Sequence, residues 1–244
     1  MDLDAYLVVA LALAVAACAH GALGFGLGTV GAPVLALVDT RLVPGPLLCV
    51  GVVLTVLVAL RERGALDVRG VRWAIVGRVP GTLVGAVAVA SLPERGLIVL
   101  FAVLVLAGVA LSVAGLHVRP TAGTSFGAGA ASGFMGTIAS VGGPAMALLY
   151  QREAGARLRS TLALFFVFGA ALSLASLAVA GSFGGTELRL GLALVPPTLL
   201  GYAASTPAAR WLDRGRTRVA VLWFAAGSAG VLLVREVLAA LGSG

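Results

Sequence analysis

The chain has 244 residues, of which 60% are hydrophobic and 11% are charged, and its mean hydropathy is +1.08. This composition excludes an ordinary soluble domain and predicts an integral membrane protein in which little chain is left for anything outside the bilayer. All seventeen basic residues are Arg, and the net charge of +7 lies in the loops rather than along one helix. Such a distribution is typical of positive-inside topology and argues against nucleic-acid binding.

Apolar runs separated by short loops divide the chain into eight blocks. Hydrocarbon offers no water to backbone groups, so each run is predicted to be helical, with about 20 residues per crossing. The first and fifth blocks are too long for one crossing, and both contain Gly and Pro. The predicted fold class is therefore an all-α polytopic membrane protein with these blocks: 5–38, 43–60, 71–91, 95–116, 122–151, 158–180, 187–206 and 217–241.

The beginning of the first block does not resemble a cleaved signal. The chain starts with Asp2 and Asp4 rather than with basic residues, and the apolar run continues past Cys18. We therefore expect this block to remain in the protein, with the N-terminus outside.

No motif in the sequence predicts an enzyme, a metal site or a cofactor. Cys18 and Cys49 form no CxxC pair, so packing is their expected role. Segment 123–127 matches the GxSxG pattern of serine hydrolases, but it begins an apolar block instead of a strand-turn-helix unit. Only His20 and His117 could act as its base, and no Asp or Glu lies in the middle of an apolar block.

The chain contains an internal repeat. Residues 79–85 read VPGTLVG and residues 195–201 read VPPTLLG, with five of seven positions identical. Upstream of these segments, a glycine-rich stretch ending in Pro33 parallels one ending in Pro144. The sequence thus predicts two homologous halves, 1–120 and 121–244, each made of one broken Gly-Pro block and three transmembrane helices.

The distribution of arginines predicts how the broken blocks cross. If every block crosses once, the two faces carry nine and eight Arg, which is no bias. If each broken block instead turns back to the side it came from, one face carries thirteen Arg and the other carries only four, namely Arg41, Arg95, Arg189 and Arg235. This model makes the broken segments re-entrant, makes the two repeats inverted and puts both termini outside.

Pro33 and Pro144 each precede a short apolar run and follow glycines. Proline is favoured at the first position of a helix, so both are expected to open half-helices inside the membrane. Helix N-termini attract anions, and inverted repeats would bring these two together near the midplane, as in secondary transporters. The alternative is that the glycines only form packing seams between helices.

The segments TVGAP at 29–33 and SVGGP at 140–144, together with the Arg-containing loop 156–161, resemble the TauE/SafE sulfite exporter family of bacterial membrane proteins. The resemblance covers essentially the whole chain. It implies transport, usually outward, of small anions such as sulfite, sulfonates or sulfoacetate.

Two ionisable residues are candidates for the anion site. His20 lies deep in the first block, where it is expected either to bind the anion or a proton or to bond a neighbouring carbonyl. Arg78 precedes the first VPGTLVG copy, where it either faces substrate or snorkels to the interface. Thr82 and Thr198, which match in the repeat, are second-rank candidates because Thr also bonds back to its own helix.

The sequence thus predicts a secondary transporter that crosses the inner membrane several times. Its predicted partners are small anions and the lipid bilayer, and the sequence does not decide between a monomer and a homodimer. A non-transporting membrane scaffold or assembly protein and an anion channel are the alternatives. The predicted substrate-binding residues are His20, Thr29, Gly31, Pro33, Arg78, Thr137, Ser140, Gly142, Gly143 and Pro144.

Overall fold

The protein is helical throughout the part that its computed structural model describes, residues 2–63, 68–113, 118–150 and 155–212. This confirms the predicted all-α class for those residues. The α-helices are α1 Leu3–Leu23, α2 Ala32–Val38, α3 Gly45–Arg61, α4 Val68–Ser91, α5 Glu94–Val113, α6 Ala122–Ala139, α7 Gly143–Tyr150, α8 Gly155–Val179, α9 Gly185–Ala193 and α10 Val195–Leu212. The eighth predicted block, 217–241, lies outside the described residues.

Within the described residues, five helical segments are long and apolar enough to cross a membrane. They support a multi-pass membrane protein, because each offers about the 20 apolar residues that a bilayer requires. The five segments are Leu3–Leu23, Thr40–Arg61, Val71–Ser91, Glu94–Leu111 and Arg157–Val179.

The first overlong block is interrupted after Leu23. Gly24 and Gly26 have φ angles of 87° and 130°, which only glycine adopts without strain, and they turn the chain out of α1. A π-helical turn, Leu27–Gly31, follows and leads directly into α2. Pro33 lies in the first turn of α2, where the sequence placed it, and the widened turn before it continues directly into this helix. Its missing N–H leaves the Thr29 carbonyl without the helical bond that another residue would make.

The chain after this break runs back beside α1. Gly26 lies next to Ala19 and the backbone of His20, whereas Gly31 lies next to Ala16, which is earlier in α1. The close approach depends on small residues on both sides, as in other helix contacts inside membranes.

The second overlong block is interrupted after Ala139. Ser140 caps α6 with a φ of 57°, an uncommon conformation for a residue with a side chain, and α7 begins at Gly143 with Pro144 in its first turn. Gly142 lies against Ser132 and Gly136 of α6.

The seventh predicted block is also divided, which the sequence analysis missed. Leu194 separates α9 from α10, because Pro196 and Pro197 both lack the N–H that a continuing helix would need. The matching copy in α4 has a single proline, Pro80, and remains helical through it.

The most extensive helix contacts join the two halves of the sequence, and they depend on glycine. α4 and α6 run in the same direction, since Gly77 faces Phe126 and Gly81, one turn further, faces Ala130. At each point a Cβ on the glycine would overlap the facing backbone carbonyl. The backbones of these helices are therefore in direct contact.

Two further pairs join the halves. α1 and α10 run in the same direction, with Gly201 against Ala14. α3 and α8 run in opposite directions, with Glu62 bonded to Arg159 at one end and Gly45 against Phe183 at the other.

Two glycines of α6 provide a matched test of this packing. A Cβ on Gly129 would overlap the carbonyl of Ala74, whereas a Cβ on Gly127 meets no atom within 4 Å. Gly129→Ala should lower the free energy of unfolding by about 1–3 kcal/mol through overpacking. Gly127→Ala should be neutral or raise it by up to about 1 kcal/mol, because Ala is the better helix former. Thermal unfolding in detergent measures both, and equal effects would contradict the backbone contact.

Candidate functional site

A cavity of about 60 Å³ lies where the two chain breaks meet. Gly28 of the first break lies so close to the carbonyl of Ser140 that a Cβ would overlap it, and a Cβ on Gly143 would lie 2.8 Å from that of Phe25. The two interruptions are thus in direct contact. α1, α3, α4 and α8 complete the wall.

Six of the ten predicted residues line this cavity: His20, Thr29, Arg78, Ser140, Gly142 and Gly143. The other four, Gly31, Pro33, Thr137 and Pro144, are buried but do not line it. Thr137 is occupied elsewhere, since its hydroxyl donates to the Gly133 carbonyl at 2.8 Å or bonds the Ser173 hydroxyl at 2.8 Å.

Of the described residues that form the wall of this cavity, Arg78 alone carries a charged side chain, and it is 2% exposed. Its Nη1 donates to the Ser132 hydroxyl at 3.0 Å, and its Cζ lies 4.7 Å from the ring centroid of Phe165. The alternative that Arg78 snorkels to the interface is wrong for this structure, because the guanidinium is enclosed by protein.

No carboxylate of the described residues pairs with Arg78, and its Nε has no hydrogen-bond partner. A buried charge without a counter-ion is costly, and ring faces and hydroxyls offset only part of the cost. The cavity therefore carries a fixed and uncompensated positive charge.

Glycines make room for this guanidinium. A Cβ on Gly169 of α8 would overlap it, and a Cβ on Gly136 of α6 would lie 3.1 Å from its Nη2. The sequence analysis did not single out Gly169 or Ser132, because nothing in their local pattern differs from an ordinary small-residue helix contact. Ser132 also donates to the Gly142 carbonyl at 2.7 Å, so Arg78 is linked to the second break.

His20 faces the same cavity from the end of α1. Its Nδ1 accepts a hydrogen bond from the Leu27 N–H at 3.4 Å, and its enclosed Nε2 has no partner. The hydrogen bond assigns the neutral ring with its proton on Nε2. The partner is thus a backbone N–H and not the carbonyl that the sequence analysis considered, and the second ring nitrogen is left unpaired.

Hydroxyl groups complete the polar part of the site. The Ser140 hydroxyl is enclosed and has no partner, and Thr29 lines the cavity. The two second-rank candidates, Thr82 and Thr198, differ in their hydrogen bonds. Thr198 donates to the Leu194 carbonyl of its own helix at 2.8 Å, whereas the buried Thr82 hydroxyl has no partner among the described residues. Neither of these two threonines lines the cavity.

A larger cavity of about 170 Å³ lies near the start of α3 and α5, with Arg41 and Glu94 as its charged residues. Arg41 is 78% exposed there and is already paired with Asp39, at 2.9 Å between Nη2 and Oδ2. Solvent and Asp39 therefore screen its charge, and Arg41 holds the pKa of Asp39 below its usual value through this hydrogen bond. The smaller cavity is the one with an unmet electrostatic requirement.

A charged network lies beside the first break. Arg61 donates to the Gly21 carbonyl and, at 3.0 Å, to the Ser205 hydroxyl. Glu62 accepts from Arg61 at 3.2 Å and from Arg159 at 2.8 Å. This network connects the ends of α1 and α3 to α8 and α10.

The sequence model of one family, described as sulfite exporter TauE/SafE, matches residues 9–232. No curated protein and no solved structure matches the chain. The family match leaves out only short stretches at the two ends, and it agrees with the helical, multi-pass architecture. The chain belongs to the sulfite exporter TauE/SafE family.

Proposed function

We propose that this protein is a secondary transporter, working as an exporter, for small anions such as sulfite, sulfonates or sulfoacetate. The anion binds in the 60 Å³ cavity between the two chain breaks. The observation that carries the proposal is Arg78, a buried guanidinium with no carboxylate partner among the described residues.

Three polar groups act on the anion. Arg78 supplies the charge, and the Nε2–H of His20 and the Ser140 hydroxyl supply hydrogen-bond donors that have no partner among the described residues. A buried donor that makes no hydrogen bond destabilises the protein. An oxyanion that accepts from all three groups removes this destabilisation at each of them. The glycines of both breaks let the backbone approach the anion closely.

Movement follows the inverted-repeat mode of secondary transporters, in which one part of the protein rocks or gates against the other around a central site. The helix directions agree with inverted repeats, since α4 is parallel to α6 and α1 is parallel to α10. The segments after the breaks act as re-entrant arms, which are tolerated because protein surrounds them. The Arg61–Glu62–Arg159 network joins the end of α3 to the start of α8 beside the first break.

The uncompensated charge favours this function over a scaffold. Pure packing seams would need the glycines but would gain nothing from a buried cation, which apolar residues of similar volume replace at no cost in stability. A channel remains the second candidate, and exchange kinetics distinguish it, because only a carrier exchanges substrate across the membrane faster than it produces net flux.

Arg78→Gln should abolish anion binding while leaving the helical fold intact. Losing the charged donor of a buried site costs about 2 kcal/mol or more, so we expect affinity for sulfite and sulfoacetate to fall at least about 30-fold. The measurements are the thermal stabilisation that each anion produces in detergent and efflux of labelled sulfite from proteoliposomes.

The matched control for this variant is Arg72→Gln. Arg72 lies on the same helix but is exposed, so the substitution removes the same charge far from the cavity wall. We expect it to keep both stabilisation and efflux. If the two variants behave alike, Arg78 does not bind the anion, and if no anion stabilises or crosses with the natural protein, the transport proposal is wrong.

The inverted topology predicts the faces of three exposed positions. In a variant without Cys18 and Cys49, cysteines at positions 4 and 41, which flank the first broken block, should both react with a membrane-impermeant maleimide only from outside, and one at position 119 only from the cytoplasmic face. These positions carry Asp4, Arg41 and Arg119, which are exposed, so the substitutions should not disturb packing. Labelling of positions 4 and 41 from opposite faces would exclude the re-entrant arrangement.

A further inference from the structure

His20 combines two properties in one ring: it faces the anion cavity, and it holds the first chain break. Its ring lines the site and its enclosed Nε2 has no partner among the described residues, while its Nδ1 accepts the N–H of Leu27, the first residue of the π-helical turn. We propose that His20 couples anion transport to protons, taking up a proton when the anion binds. The inference rests on the proposed anion function and adds the coupling ion to it.

The chemistry of the ring links protonation to the conformation of the break. In the neutral ring, Nδ1 is an acceptor; in the imidazolium, both nitrogens are donors. The incoming proton, supplied by solvent, bonds to the Nδ1 lone pair, and the hydrogen bond from Leu27 is lost. No other bond changes. Protonation therefore releases the Leu27 N–H and adds a second donor with full charge at the site.

The surroundings of His20 make this protonation depend on an anion. From α4, Arg78 shares the cavity with the ring. From α3, Arg61 donates to the carbonyl of the next residue, Gly21, and carries Glu62 beside it.

The remaining neighbours of this region in the described part of the chain include Arg159 of α8 and Tyr202 and Ser205 of α10. Arg159 lies against Gly24 and shares the carboxylate of Glu62 with Arg61. Tyr202 contacts Gly21 and donates its hydroxyl to the Leu57 carbonyl at 3.1 Å, and Ser205 accepts from Arg61. Among the described residues, three guanidinium groups and one carboxylate thus face this end of α1. A further cation is unfavourable there while the cavity is empty, and it becomes favourable when an anion lies between the ring and Arg78.

Proton and anion therefore bind cooperatively, and the effect is reciprocal: the anion favours the proton, and the proton strengthens anion binding. An anion that stays ionised throughout the titration range of His20 shows this most clearly, because any proton taken up then belongs to the protein. Methanesulfonate has this property, and it belongs to the proposed substrate class.

The test measures the apparent Kd for methanesulfonate, from thermal stabilisation, across about pH 5.5 to 8, together with pH inside proteoliposomes that hold a trapped pH dye. For the natural protein we expect the Kd to rise up to about tenfold per pH unit above the pKa of His20, as one linked proton requires. An inward methanesulfonate gradient should also acidify the interior.

Two substitutions separate the roles of the ring. His20→Asn places an amide oxygen near Nδ1 that still accepts from Leu27, but it takes no proton. Because it lacks the Nε2–H donor, we expect it to bind methanesulfonate more weakly, with a Kd that is independent of pH, and to move the anion more slowly and without acidification. His20→Gln also takes no proton and places its amide near Nε2, so its Kd should likewise be independent of pH. This variant replaces His20→Asn in the test if the Asn variant does not fold.

The outcomes distinguish the coupling from the function on which it rests. If the natural protein binds methanesulfonate with a Kd that does not change with pH, or if both variants keep the pH dependence, the coupling at His20 is wrong and the anion transporter stands. If the interior becomes alkaline, proton and anion compete, which also overturns the inference. If neither methanesulfonate nor sulfite binds at any pH, the proposed function fails as well.

Discussion

The Arg78 guanidinium is buried without a carboxylate partner in the part of the chain that the structure describes, and this burial constrains the centre of the structure more than any other single feature. The charge requires a hydroxyl, supplied by Ser132, and aromatic ring faces, of which Phe165 lies nearest. It also requires space, so Gly169 of α8 carries no side chain where the guanidinium lies. α4, α6 and α8 are therefore arranged around one cation, and in the proposed function an anion supplies its missing counter-charge.

The glycines that interrupt the helices also create the site. Gly24 and Gly26 turn the chain with φ angles that other residues avoid, and Gly28 then brings the first break against the Ser140 carbonyl of the second. A continuous helix in either place would remove the cavity. An interrupted helix is costly inside a membrane, because its backbone groups lose their hydrogen bonds. Both interruptions lie where protein surrounds them and next to the proposed ligand site.

The two halves contribute unequally to this site, although their sequences match. His20 and Arg78 both come from the first half, and the second half adds the unpaired Ser140 hydroxyl and closely packed glycine backbone. If the two halves arose by duplication, as the repeated segments predict, the copies kept the chain break and diverged in the charge and the titratable ring.

Composition and periodic apolar runs were sufficient to predict an all-helical membrane protein, because backbone groups in hydrocarbon have no other way to be satisfied. The sequence by itself also determined where the two overlong blocks break and identified His20 and Arg78, since charges and glycines are conspicuous in apolar runs. Only the tertiary structure decided that Arg78 is enclosed rather than snorkelling, that His20 bonds Leu27, and that Ser132 and Gly169 hold the guanidinium. Those facts depend on which helices come into contact, and small residues in a membrane helix look alike in sequence whichever neighbour they face.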